Sequence, residues 1–108
     1  MTTLASLGLG IACGLAITGQ LQASGTIVSQ KGRTFHPETL TLTRGETVTI
    51  VNDDSDLLHH AYVDSPTFSF DSGDQEPGSR TPITFSEKGV FQVLCGIHPK
   101  MKLVVKVN

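Results

Sequence analysis

Apolar and polar residues alternate along most of this chain. In ETLTLTRGETVTIVN, Leu40 and Leu42 alternate with Thr39, Thr41 and Thr43. After Arg44-Gly45-Glu46, Val48 and Ile50 alternate with Thr47, Thr49 and Val51. Period two with β-branched residues around a glycine predicts two strands, joined as a hairpin or by a sharp strand connection. A polar loop follows over Asn52 to Asp56, then a strand over Leu58 to Val63. The Gly, Pro and Ser content of Asp71 to Pro82 predicts a long loop. Ile83 and Phe85 alternate, and Glu87-Lys88-Gly89 turns the chain. Phe91, Val93 and Cys95 share one strand face, as do Leu103, Val105 and Val107. No segment after the N-terminal stretch carries a helical stripe. Strands every 8–12 residues or so, with turns between them, predict an all-β, antiparallel sandwich or barrel.

The first 25 residues break this pattern, having no Asp, Glu, Lys or Arg. The apolar run from Leu4 to Ile17 is shorter than the ~20 residues a membrane span needs. It suits the core of a secretory signal peptide, although the leading Met-Thr-Thr lacks the usual positive charge. The reading is a signal peptide over residues 1–23, with an uncleaved anchor as the alternative, and one domain over 24–108. Export leaves Cys95 as the mature chain's single cysteine, which cannot form an internal disulfide. A net charge of −2 does not suit a nucleic-acid binder. Neither a Ser-His-Asp order nor a phosphate-cradling glycine loop appears, so substrate turnover is not expected.

Cys95 opens the sequence C-x2-H-x2-M, which places His98 and Met101 in one loop between two core strands. Thiolate and thioether are soft donors, and imidazole is borderline. One cysteine, two histidines and a methionine describe a type 1 copper site, whereas zinc seldom takes a thioether. Either His59 or His60 can supply the second imidazole. His36 reads as a plain surface residue. Asp53, Asp54 and Asp56 read as a solvated loop, or else as a patch that steers a basic partner. Lys100, Lys102 and Lys106 read as solvated faces. Leu57, Leu58, Ile97 and Pro99 flank the donors as local packing, or as a weakly apolar docking patch.

FHPETLTLTRGETVTIVNDD, LHHAYVD and FQVLCGIHPKMKLVVKV together resemble the cupredoxins, of the amicyanin and plastocyanin type. The resemblance runs from about Ile27 to Asn108. It implies an eight-stranded Greek-key β-sandwich with one copper ion at one end, and Cys95, His98 and Met101 as ligands. The family's other histidine opens an H-N-V segment. Here that segment is His59-His60-Ala61, so the match falls on His59. Strand parity agrees, placing His59, Ala61 and Val63 inward together. His60 stands where the family has an Asn that ties the two ligand loops together. The implied function is an exported, periplasmic, monomeric electron carrier that cycles between Cu(II) and Cu(I) and meets redox proteins transiently. The alternative is a copper delivery protein that holds Cu(I) without redox turnover.

Overall fold

The computed structural model describes residues 25–108, so the signal-peptide reading of residues 1–23 lies outside the described residues. Among the described residues nine strands form: β1 (Thr26–Gln30), β2 (Phe35–His36), β3 (Thr39–Leu42), β4 (Thr47–Asn52), β5 (Ala61–Asp64), β6 (Ser69–Asp71), β7 (Arg80–Thr84), β8 (Gly89–Cys95) and β9 (Lys102–Val107). They pack as two sheets, β2-β1-β4-β7 and β3-β9-β8-β5-β6. That is one strand more than the expected eight, and two of the nine, β2 and β6, are short edge strands. Among the described residues no helix is long and apolar enough to cross a membrane.

The sandwich is mixed rather than antiparallel. β1 runs parallel to β4, pairing Val28 with Ile50, and β3 runs parallel to β9, pairing Leu40 with Val105. Alternation reveals which face of a strand is buried, not which strand lies beside it. The same limit decides the Arg44-Gly45-Glu46 turn. β3 and β4 do not form a hairpin; the turn carries the chain from one sheet to the other. Arg44 N–H donates to the Asn108 carbonyl (2.9 Å), and Gly45 N–H to the Phe85 carbonyl (2.7 Å). Gly45 has φ 97°, a left-handed conformation that a side chain would strain.

The predicted long loop is shorter than expected, because Asp71 belongs to β6 and Arg80 to Pro82 belong to β7. Pro82 is tolerated because β7 is an edge strand and needs no donor on its open side. The core lies between the sheets, with Val28, Val48, Ile50 and Ile83 from one and Phe91, Val93, Leu103 and Val105 from the other. Phe68, Phe85 and Phe91 meet with ring centroids 5.4–6.0 Å apart. Phe91 lies four residues before Cys95, so this aromatic cluster is roughly 13 Å along β8 from the thiol. The loop from Cys95 to Met101 is anchored at both ends, where Leu94 pairs with Lys102 and Val93 with Leu103.

Candidate metal centre

β5 and β8 run antiparallel, with Ala61 opposite Cys95. Side chains alternate along a strand, so His59 shares the inward face of Ala61. His59 is fully buried, and its Nδ1 lies 3.9 Å from Cys95 Sγ. On the other side, the chain turns after Cys95 and brings His98 Nδ1 to 3.6 Å from the same sulfur. The two imidazoles meet edge-on, with centroids 5.0 Å apart. The ligand atoms of His59, Cys95 and His98 all lie within 4.8 Å of one another. Met101 N–H donates to the His98 carbonyl (3.0 Å), which closes the turn, and the Met101 side chain is buried.

These separations suit one shared ion. Metal bonds of about 2.3 Å to sulfur and 2.05 Å to nitrogen, at trigonal or tetrahedral angles, put S and N roughly 3.6–3.8 Å apart. A thiol alone explains less. It has one proton to donate, yet two Nδ1 atoms face it.

His59 Nε2 lies 2.7 Å from Asp54 Oδ2. A carboxylate accepts, so Nε2 carries the proton and Nδ1 presents its lone pair to the sulfur side. Burial pushes the Asp54 carboxyl up. The hydrogen bonds from His59 and the Gly32 N–H, with the charges of His59 and Lys31, outweigh burial and hold it below the usual aspartate value. Asp54 therefore corrects the solvated-loop reading: its side chain is only 10% exposed and faces His59. Its neighbour Asp53 accepts from Ser29 Oγ.

Behind this pair lies a buried polar frame that the sequence did not reveal. His59 and Gln75 exchange backbone hydrogen bonds, 3.1 and 2.7 Å, as an isolated bridge. Asn52 Nδ2 donates to the Leu57 and Gln75 carbonyls, and Asn52 Oδ1 accepts from Asp54 N–H. Gln30 Nε2 donates to Gln75 Oε1, and Gln75 Nε2 donates to Thr81 Oγ1. Gln30, Asn52, His59 and Gln75 are the buried polar residues among those described, and they form this one network. The sequence signals were faint: an aspartate five positions before His59, and a glutamine in a Gly- and Pro-rich loop.

His60 turns outward, and its Nε2 lies 2.6 Å from Asp71 Oδ1. It still links the loops through its backbone, since Gly96 N–H donates to the His60 carbonyl (3.0 Å). A side chain at Gly96 would press on the His60 ring, with a Cβ only 3.3 Å from its Nδ1. His98 is half-buried and protonates less readily than a free imidazole. Burial is the main cause, followed by the charges of His59 and Arg33, which outweigh the opposing pull of Asp54. His36 is exposed on β2, away from the cluster.

No protein-family model and no curated protein sequence matches the chain. Solved structures do match. One is the Cu-containing nitrite reductase (NirK) from Thermus scotoductus SA-01, at 33% identity and TM-score 0.70 over 78% of this chain. The chain spans only 22% of that enzyme's length. A reduced amicyanin variant matches at 20% identity and TM-score 0.72, covering 79% of this chain and 83% of that one. The Cu(I) form of another amicyanin variant matches at 20% identity and TM-score 0.71, covering 78% and 82%. The chain therefore has the cupredoxin fold.

Proposed function

We propose that this chain is an exported carrier of single electrons in which His59, Cys95 and His98, with Met101 as a further soft donor, would hold one copper ion. The observation that carries this reading is the aim of two imidazole Nδ1 atoms at one buried thiol sulfur. Support comes from the amicyanin matches, described as reduced, oxidised and Cu(I) forms, and from the copper-containing nitrite reductase.

Copper, when bound, supplies a one-electron couple between Cu(II) and Cu(I). The protein supplies the rest. Cys95 gives up its proton and binds as thiolate. Asp54 fixes the His59 tautomer, so that ligand is ready without rearrangement. The paired strands fix both ends of the loop that carries Cys95, His98 and Met101, which limits the ordering cost of binding. His98, half-buried beside exposed Ile97 and Pro99, is the ligand nearest to a partner and the route for the electron. No substrate pocket is needed, and the nitrite reductase likeness covers too little of that enzyme to carry its activity here.

A copper delivery protein must release its ion. The buried bonds around His59 oppose release and favour the electron carrier. Visible absorption after copper addition tests the reading. An intense blue colour that Cys95→Ser abolishes is expected, and a colourless copper complex overturns it. Met101→Gln should keep the colour and lower the potential.

A further inference from the structure

We propose that the surface around His98 docks a carboxylate-bearing face of an acidic redox protein. This builds on the copper reading above and adds the sign of the partner's charge. A hollow of about 430 Å³ is lined by Arg33, Ile97, His98, Pro99, Lys100 and Met101. Its centre is apolar, with Ile97 42% exposed. The charged residues on its lining are Arg33 and Lys100, both cations and both exposed. Among the described residues, neither has a carboxylate partner within ion-pair distance.

The acidic run Asp53, Asp54 and Asp56 does not line the hollow. Asp54 is held by His59 and the Gly32 N–H. Asp53 is turned to Ser29, with Lys31 Nζ 3.3 Å from its carbonyl. Asp56 is exposed in the same loop but does not line the hollow. None of the acidic run, which reads as a solvated loop or a steering patch, lines the hollow, and the hollow's charged lining residues are both basic.

Local and total charge predict opposite behaviour. The whole chain is at −2, so a protein acting as a single point charge would repel anions. Fields between exposed charges fade over about 8 Å at physiological salt, so a docked partner feels Arg33 and Lys100 rather than the total. Two unpaired cations around an apolar, half-buried ligand attract carboxylates and speed encounter, while the apolar centre needs little desolvation.

The test uses two paramagnetic probes and magnetic resonance of the full chain without copper. Hexacyanochromate(III), an anion, should first broaden the amide signals of Arg33, Ile97 and Lys100. Hexaamminechromium(III), a cation, should leave them sharp. Arg33→Glu and Lys100→Glu should each reduce the anion effect severalfold. Lys88→Glu, at the opposite end of β8, should not. Broadening of these signals by the cation, or anion broadening spread evenly over the surface, overturns the proposal.

In the copper-loaded protein, hexacyanoferrate(III) takes one electron from the reduced centre and becomes hexacyanoferrate(II). That rate should fall as salt rises, and by about tenfold when both charges are reversed. A rate that rises with salt overturns the docking proposal and leaves the copper reading intact. A colourless protein with the anion map intact does the reverse.

Discussion

His59 and His60 are neighbours in sequence, and each ring nitrogen meets a carboxylate at nearly the same distance, 2.7 and 2.6 Å. Their surroundings differ. His59 is fully buried and Asp54 nearly so, whereas the His60 and Asp71 side chains are 26% and 67% exposed. One residue of strand register separates them, and it turns one ring toward Cys95 and the other toward water. A carboxylate beside a buried imidazole fixes its tautomer and direction. In water the same contact competes with solvent and contributes little. The difference teaches that the distance of an imidazole–carboxylate contact says nothing of its role, and that the face of the strand does.

The widest separation between the two histidines should appear on substitution by alanine. His59→Ala should abolish the blue copper spectrum, while His60→Ala should retain it. Comparable loss in both variants would break the comparison, since it would make the outward ring as necessary as the inward one. Addition of imidazole sharpens the test. It should restore colour to His59→Ala, because the deleted group leaves a cavity beside Cys95.

Asp54 gives the next largest effect. Asp54→Asn keeps the shape and an acceptor oxygen but removes a negative charge behind His59, the proposed copper ligand. Copper affinity should fall at least about tenfold, in the range typical for the outer partner of a ligating histidine. The reduction potential should rise, because the lost charge favoured the more positive oxidation state. Asp54→Ala leaves the buried His59 Nε2 proton without a partner and should cost about 1–3 kcal/mol in urea unfolding of the copper-free protein. Asp71→Asn should change neither the affinity nor the potential measurably. An unmoved potential in Asp54→Asn would remove Asp54 from any role in tuning the site.

Gln75 sits one step further from the sulfur. Gln75→Ala deprives the buried Gln30 amide of its acceptor and Thr81 of a donor, so a loss of about 2 kcal/mol is expected. The backbone bridge to His59 does not use the Gln75 side chain, so the spectrum should survive. A bleached spectrum would show that the frame acts through side chains rather than main chain.

The sequence exposed the inward half of this comparison better than its supports. The C-x2-H-x2-M spacing and the parity of His59, Ala61 and Val63 were legible because donor type and a period of two are written in consecutive residues. Buried alternation in β8 and β9 was legible for the same reason. Asp54, Gln75 and Gln30 were not. Polar residues in loops and at strand ends read as solvated, and only the fold brings Gln30 and Gln75, 45 positions apart, into contact. The parallel pairings of β1 with β4 and of β3 with β9 escaped similarly, since the pattern fixes faces and leaves neighbours open.

The smallest expected effect concerns acid. Hydrogen bonds from the Gly73 N–H and His60 hold the Asp71 carboxyl below its ordinary value, and bonds from His59 and Gly32 hold Asp54 below it despite burial. Both folded values are depressed, so the folded protein binds fewer protons than the unfolded chain as pH drops. Each group therefore contributes stability that is complete above the ordinary aspartate value of about 3.9 and is lost as pH falls through the folded value. The sign is shared, but the size is not, because water screens Asp71 and hardly reaches Asp54. Urea midpoints of the copper-free protein at pH 6 and pH 3 measure the slope. Asp54→Asn should flatten the decline, whereas Asp71→Asn should run parallel to the parent. Equal flattening by both would mean that the exposed pair stabilises the fold as much as the buried one, and burial would no longer distinguish His59 from His60.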